Sequence, residues 1–155
     1  WITKKQSYLY SKAEAKKLRE DFWTSFGKSF PRKWTLYDTK IKDFSFKFSF
    51  DLKKARVLIA IEDSDKEKRA LYYNKMLSMR NILQTDFLPD AIYEEHLILD
   101  NQKEISAIYI EKTGVSIHNK ATWQEVMVFL NDGMAQIEAF WAEYKDIIVE
   151  NDEFW

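Results

Sequence analysis

The chain has no cysteine, only two histidines, three glycines and two prolines among its 155 residues. Without thiols there is no disulfide, no thiolate zinc site, no iron–sulfur cluster and no cysteine nucleophile. His96 and His118 are too few for a histidine-rich metal site, so these residue types point to no cofactor and no metal. Three glycines leave little material for a phosphate-cradling loop. No window approaches the roughly 18 uninterrupted apolar residues of a membrane span. No basic-then-apolar leader opens the sequence, so a cytoplasmic protein with no membrane partner is expected.

Aromatic residues, in contrast, are plentiful: 16% of the chain, with 6 Trp, 8 Tyr and 11 Phe. That volume must be buried in a core or presented to a partner. With 46% hydrophobic and 32% charged residues and no linker or low-complexity stretch, residues 1–155 read as one globular domain. The net charge of −1 hides a division along the chain. Residues 1–62 carry 15 Lys/Arg against 7 Asp/Glu, whereas residues 119–155 carry 2 against 8. Either the two ends neutralise each other within the fold, or a basic and an acidic surface are left for partners.

Ser11 and Glu14 have the spacing of a capping box, and Ala15, Leu18, Phe22 and Phe26 continue it as one apolar helical face up to Phe30-Pro31. Phe44 to Phe50 alternates strictly, with four phenylalanines on one face and Ser45, Lys47 and Ser49 on the other, which is a half-buried strand. A connection at Asp51–Lys54 and a strand Val57–Glu62 complete a hairpin. The order then repeats. Ser64 with Glu67 caps a helix through Tyr72, Met76, Met79 and Leu83 that ends near Leu88-Pro89, followed by strands at His96–Leu99 and Ile105–Lys112. Asp51, Lys54, Ile59, Ile61 and Glu62 recur 49 positions later as Asp100, Lys103, Ile108, Ile110 and Glu111, by duplication or by convergence on the same hairpin physics.

Thr122 and Glu125 form a third capping pattern before the longest periodic run. Trp123, Met127, Leu130, Met134, Ile137, Trp141, Tyr144 and Ile148 alternate spacings of four and three, which predicts a helix of some seven turns. Its stripe is widened by Val126, Phe129, Phe140 and Ile147, which favours packing across the chain's own sheet over dimerisation through this helix. The expected fold class is therefore α+β: a helix–strand–strand unit used twice plus a long C-terminal helix, with helices covering an antiparallel sheet of about four strands. Val115–His118 is a candidate for one further strand. The tail from Glu150 to Trp155 ends in two aromatics, either tucked back or left for a neighbour.

The residues that carry candidate chemistry are few. Glu62 and Glu111 each follow an Ile-x-Ile strand and are weak candidates for a shared metal ion or for acid–base work. Pro89-Asp90 has the opening of a nuclease-like carboxylate pattern, but Asp100 and Lys103 are spaced by three and Glu111 and Lys112 by one, so the partner motif is missing. Neither histidine nor any serine sits in a recognisable catalytic setting, and no catalytic residue is assigned. The richest stretch is Lys28, Arg32, Lys33, Lys40 and Lys42 with the single acid Asp38, interleaved with Phe30, Trp34 and Tyr37. Cations that neutralise phosphates beside rings that stack bases are the ingredients of single-strand binding. The plainer reading is that the rings cap the core while the lysines stay solvated around them.

From Glu20-Asp-Phe-Trp-Thr-Ser-Phe-Gly-Lys-Ser-Phe-Pro-Arg-Lys-Trp34, on through Tyr37-Asp-Thr-Lys40 and Phe46-Lys-Phe48, the sequence resembles an uncharacterised bacterial domain family. Its members occur alone and also joined to endonuclease-like domains. The resemblance covers nearly the whole chain and implies a small stand-alone cytoplasmic protein, with no catalytic set to carry over. It leans the partner expectation toward nucleic acid. The alternatives are an acidic protein surface or a second copy of the chain as a homodimer, with a metal-dependent enzyme on Glu62 and Glu111 behind them.

Overall fold

The computed structural model describes residues 10–150. Their order is helix α1 (Lys12–Ser29), strands β1 (Phe44–Phe50) and β2 (Lys54–Ile61), helices α2 (Lys66–Ser78) and α3 (Arg80–Asp86), strands β3 (Ile92–Ile98) and β4 (Glu104–Thr113), and helix α4 (Trp123–Glu150). The four strands form one antiparallel sheet in the order β1-β2-β4-β3. This is the α+β class expected. The acidic tail beyond residue 150, with Phe154 and Trp155, and the lysines at positions 4 and 5 lie outside the described residues.

Local chemistry fixes the elements. Ser11 accepts the Glu14 N–H at 3.1 Å while Glu14 accepts the Ser11 N–H at 3.3 Å, so the first capping box forms as the spacing demands. The second does not. Asp65, not Ser64, caps α2, its carboxylate accepting from the N–H groups of Glu67 and Lys68. The third also fails, because the Thr122 hydroxyl is engaged with the carbonyls of Ser116 and Asn119, and Glu125 pairs with Lys112 at 3.3 Å. The single helix expected after residue 64 is two helices broken at Met79, where the backbone leaves helical geometry and the Ser78 hydroxyl donates to the Lys75 carbonyl. Strand β3 begins four residues before the expected start at His96, at Ile92. Val115–His118 adds no strand; Val115 and Ile117 are buried, and Ile117 N–H donates to the Asp51 carbonyl at 2.9 Å.

Packing follows from register. Phe44, Phe46, Phe48 and Phe50 stand opposite Ile61, Ile59, Val57 and Ala55, and Ile59 stands opposite Ile108 in the central β2–β4 pair. The hairpin repeat thus meets itself across the middle of the sheet. Most buried helix residues join this face, among them Phe22 and Phe26 of α1, Tyr72 and Met76 of α2, and Leu130, Met134, Ile137 and Trp141 of α4. On the other face, strands alone build a smaller cluster of Leu58, Ala60, Leu97, Ile105, Ala107 and Tyr109. The long helix therefore packs on its own sheet, with Phe140 and Trp141 buried and Trp123, Phe129 and Tyr144 packed half-buried against the core.

Gly27 lies near the end of α1 with nothing within 4 Å of where a Cβ would stand. Gly27→Ala is expected to raise stability by about 0.5–1 kcal/mol, because alanine loses less backbone entropy in a helix and meets no obstacle. A denaturation midpoint equal to or below that of the parent chain would show that α1 does not keep its helical geometry there.

Candidate nucleic-acid interface

The basic and aromatic residues singled out in the sequence lie on the segment that leaves α1 at Phe30 and enters β1 at Phe44. Pro31 stops the helix, and the chain then runs beside the edge of β1, where the Leu36 carbonyl accepts the Phe46 N–H at 3.0 Å. A second anchor comes from α4, whose Glu138 carboxylate accepts the Thr35 N–H. A third is Thr39, 2% exposed, whose hydroxyl donates to the Phe44 carbonyl at 2.6 Å and accepts the Ile41 N–H at 3.2 Å. Leu36, Lys40 and Asp43 all have positive φ, at 43°, 67° and 58°. Side-chain-bearing residues in that region cost free energy, and they persist here because the three anchors over-determine the path.

The segment presents its side chains in two ways. Trp34 packs edge-on against Phe48 at 5.8 Å, and the Arg32 guanidinium covers its ring at 4.4 Å. Arg32 is thereby held as a flat cation on the surface. Tyr37 is 73% exposed, with the Lys47 ammonium 5.9 Å from its ring. Lys40 is paired with Asp38 at 2.7 Å, which holds the Asp38 carboxyl below its usual range and raises the lysine. Lys28, Arg32, Lys33 and Lys42 are exposed, and no carboxylate among the described residues lies within ion-pair distance of them. The rings divide accordingly: Trp34 belongs half to the core, and Tyr37 belongs to the surface.

Among the described residues, no ion pair joins a cation of residues 10–62 to a carboxylate of residues 119–149. Among the described residues, the one hydrogen bond between loop and long helix is the Thr35 N–H donating to the Glu138 carboxylate. Asp132, Glu143 and Asp146 stay exposed on α4.

Glu62 and Glu111 are not brought together. Both lie on the strand-only face of the sheet, but Glu111 pairs in register with Arg56, whereas Glu62 continues β2 past the Ile61–Ser106 pair. The offset amounts to about 20 Å along the strands. Each carboxylate already has cations of its own: Lys47 at 2.7 Å and Lys103 at 3.2 Å for Glu62, and Arg56 at 2.7 Å for Glu111. Among the described residues, no group of three or more His, Asp or Glu side chains is placed to hold a metal ion. Lys103, the lysine of the nuclease-like spacing, is committed to Glu62. His96 contacts Glu104 at 2.6 Å, which also takes the buried Arg69 at 3.0 Å, and His118 meets the Tyr10 ring edge-on at 5.0 Å.

Burial pushes the Glu62 carboxyl up, and the two lysines more than reverse this, leaving it below its ordinary range. A depressed folded value means that Glu62 stabilises the fold above its unfolded pKa and that this contribution disappears as pH falls through the folded one. Glu62→Gln is therefore expected to destabilise at neutral pH, with the gap to the parent chain closing in acid. Urea midpoints measured from pH 7 down to pH 3 check this, and a gap that widens in acid would contradict it.

Beside the loop, α4 supplies residues that belong to its apolar stripe or flank it. Lys33, Trp34 and Asp38 on one side and Glu138, Trp141 and Lys145 on the other wall a groove of about 390 Å³. Their helical spacing of three and four places 138, 141 and 145 on one side of α4, next to the apolar stripe. Only the fold shows that a loop more than 90 residues earlier lies against that side.

An antiparallel sheet covered on one face by helices, with a strained basic loop beside its first strand, defines the class as a small α+β domain with an exposed cationic edge. Across residues 18–145 it matches the model of the domain of unknown function DUF4268, and the chain belongs to that family. No curated protein and no solved structure matches the chain. No helix among the described residues is long and apolar enough to cross a membrane.

Proposed function

We propose that the domain is a non-catalytic, cytoplasmic binding module that presents the loop of residues 28–42 to a polyanion, and that this polyanion is single-stranded nucleic acid. The observation that carries the reading is that, among the described residues, Lys28, Arg32, Lys33 and Lys42 have no carboxylate within ion-pair distance beside the exposed Tyr37 ring, although α4 carries a surplus of acid. Cations kept apart from available carboxylates remain free to neutralise phosphates, and Tyr37 offers a base a surface to stack on. The likeness to bacterial chains in which such a domain is joined to endonuclease-like domains supports the same direction.

Fluorescence anisotropy with a short labelled oligothymidylate at low salt tests it. The double variant Arg32→Ala with Lys33→Ala is expected to bind about tenfold more weakly, and its log–log salt slope to fall by about 1.4, as two lost phosphate contacts require. Absence of binding at low salt, or affinity unchanged in the double variant, would defeat the reading. The same separation of charge favours a second reading, in which the basic loop of one copy meets the exposed Asp132, Glu143 and Asp146 of another. Sedimentation at micromolar concentration decides it: a dimer that dissociates in salt supports self-association, and a monomer at low salt removes it.

A further inference from the structure

The groove between the loop and α4 has a composition that the loop alone lacks. Its floor is Trp141, only 6% exposed and locked by Phe44 at 5.5 Å and Phe46 at 5.6 Å. The Trp141 indole N–H has no hydrogen-bond acceptor among the described residues, yet it is not sealed from solvent, since Asn131 Oδ1 is the only fully buried unpaired side-chain polar atom there. A nearly buried donor is thus left unpaired, among the described residues, on a side chain that lines the groove. Lys33 on the loop wall and Lys145 on the helix wall line this space, and among the described residues no carboxylate lies within ion-pair distance of either; Asp38 is paired with Lys40 and feels the Lys33 charge more weakly. Glu138 spends one oxygen on the Thr35 N–H, which leaves the other as an acceptor.

Two ammonium groups on opposite walls, an apolar indole floor and one free acceptor suit a planar heterocycle attached to an anion. The volume of about 390 Å³ lies within the range of small-ligand sites. We infer that this groove takes one nucleotide of a bound single strand, its base against Trp34 and Trp141 and its phosphate between Lys33 and Lys145. The inference rests on the nucleic-acid reading above and adds to it a residue from the acidic end of the chain. Lys145 is invisible to an argument from the basic front, and the structure places it across the groove from Lys33.

Ala142 is exposed and also lines the groove, so Ala142→Trp fills it without touching the core. Anisotropy with labelled oligothymidylate should show affinity reduced about tenfold by Ala142→Trp and by Lys145→Ala, at unchanged thermal stability. An abasic strand of equal length should bind the parent chain about tenfold more weakly than oligothymidylate and be indifferent to Ala142→Trp. If oligothymidylate binding falls with Arg32→Ala and Lys33→Ala but ignores Ala142→Trp and Lys145→Ala, the loop binds and the groove inference is wrong. Equal affinity for the abasic strand also overturns it, since phosphates alone then account for binding. No binding of either strand at low salt defeats both readings together.

Discussion

Phe22→Ala is expected to lower stability by about 4 kcal/mol, which for a chain of this length moves the thermal midpoint down by roughly 12 °C. Phe22 is fully buried, and its ring meets Trp23 at 4.9 Å, Phe50 at 4.7 Å and Trp123 at 5.3 Å. Those contacts tie α1 to the end of β1 and to the start of α4, so truncation opens a cavity where three elements join. Edge-on ring pairs add to the area term, and none of these neighbours can relax inward without leaving another. Urea unfolding with an unchanged denaturant slope is the measurement. A loss under about 1 kcal/mol would mean that α1 is not docked as described.

Gly133→Val is the second large effect, at about 2–3 kcal/mol of destabilisation. At Gly133 α4 lies close against the sheet: a Cβ placed there would stand 2.6 Å from Ile110 Cδ1 and 3.0 Å from Val57 Cγ2. The Ile110 contact is the end of a flexible side chain and can yield. The branched Val57 side chain is stiffer and cannot move without disturbing its strand. Alanine at this position recovers about 1 kcal/mol of helix propensity against the push on Ile110, and it is expected to fall within about 1 kcal/mol of the parent. Valine adds two methyl groups toward Val57 with no such compensation. Equal stability of the alanine and valine variants would show that α4 stands further from β2 and β4.

Much of the fold was legible because periodicity is a direct consequence of one-sided burial. The alternation of Phe44 to Phe50 and the run from Trp123 to Ile148 could hardly form anything else. The errors came where several polar groups competed for one role. At the start of α2, Ser64 has the spacing of a cap, but the neighbouring Asp65 brings a charged acceptor that reaches two N–H groups, and it wins. Thr122 has the spacing too, but its hydroxyl is drawn to Ser116 and Asn119. The first half of strand β3 escapes the pattern because a bulge sets Glu94 to Leu97 against Ala107 to Ile105, one residue more on its side, and breaks the alternation before His96.

The candidate site divided in the same manner. Charge and ring content marked the loop in one dimension, since Lys28 to Lys42 are neighbours in sequence. Nothing local could show that Arg32 lies on Trp34, that Tyr37 stands in solvent, or that Glu138 reaches back to Thr35. The spacing of Trp141 marks it as core, which it is, and only the fold shows that it also lines a groove.

The order β1-β2-β4-β3 also bears on how the chain finds this structure. Each hairpin closes over a few residues, as at Asp51, whose carboxylate accepts the N–H groups of Lys53 and Lys54 at 2.8 and 2.9 Å. The central β2–β4 pair instead joins Arg56 to Glu111 across α2, α3 and β3. Loop-closure entropy is small for the hairpins and large for that pair, so two preformed halves must meet before α4 has a complete surface to cover. The slow step in folding then belongs to the β2–β4 contact, where Ile59 meets Ile108, rather than to either turn.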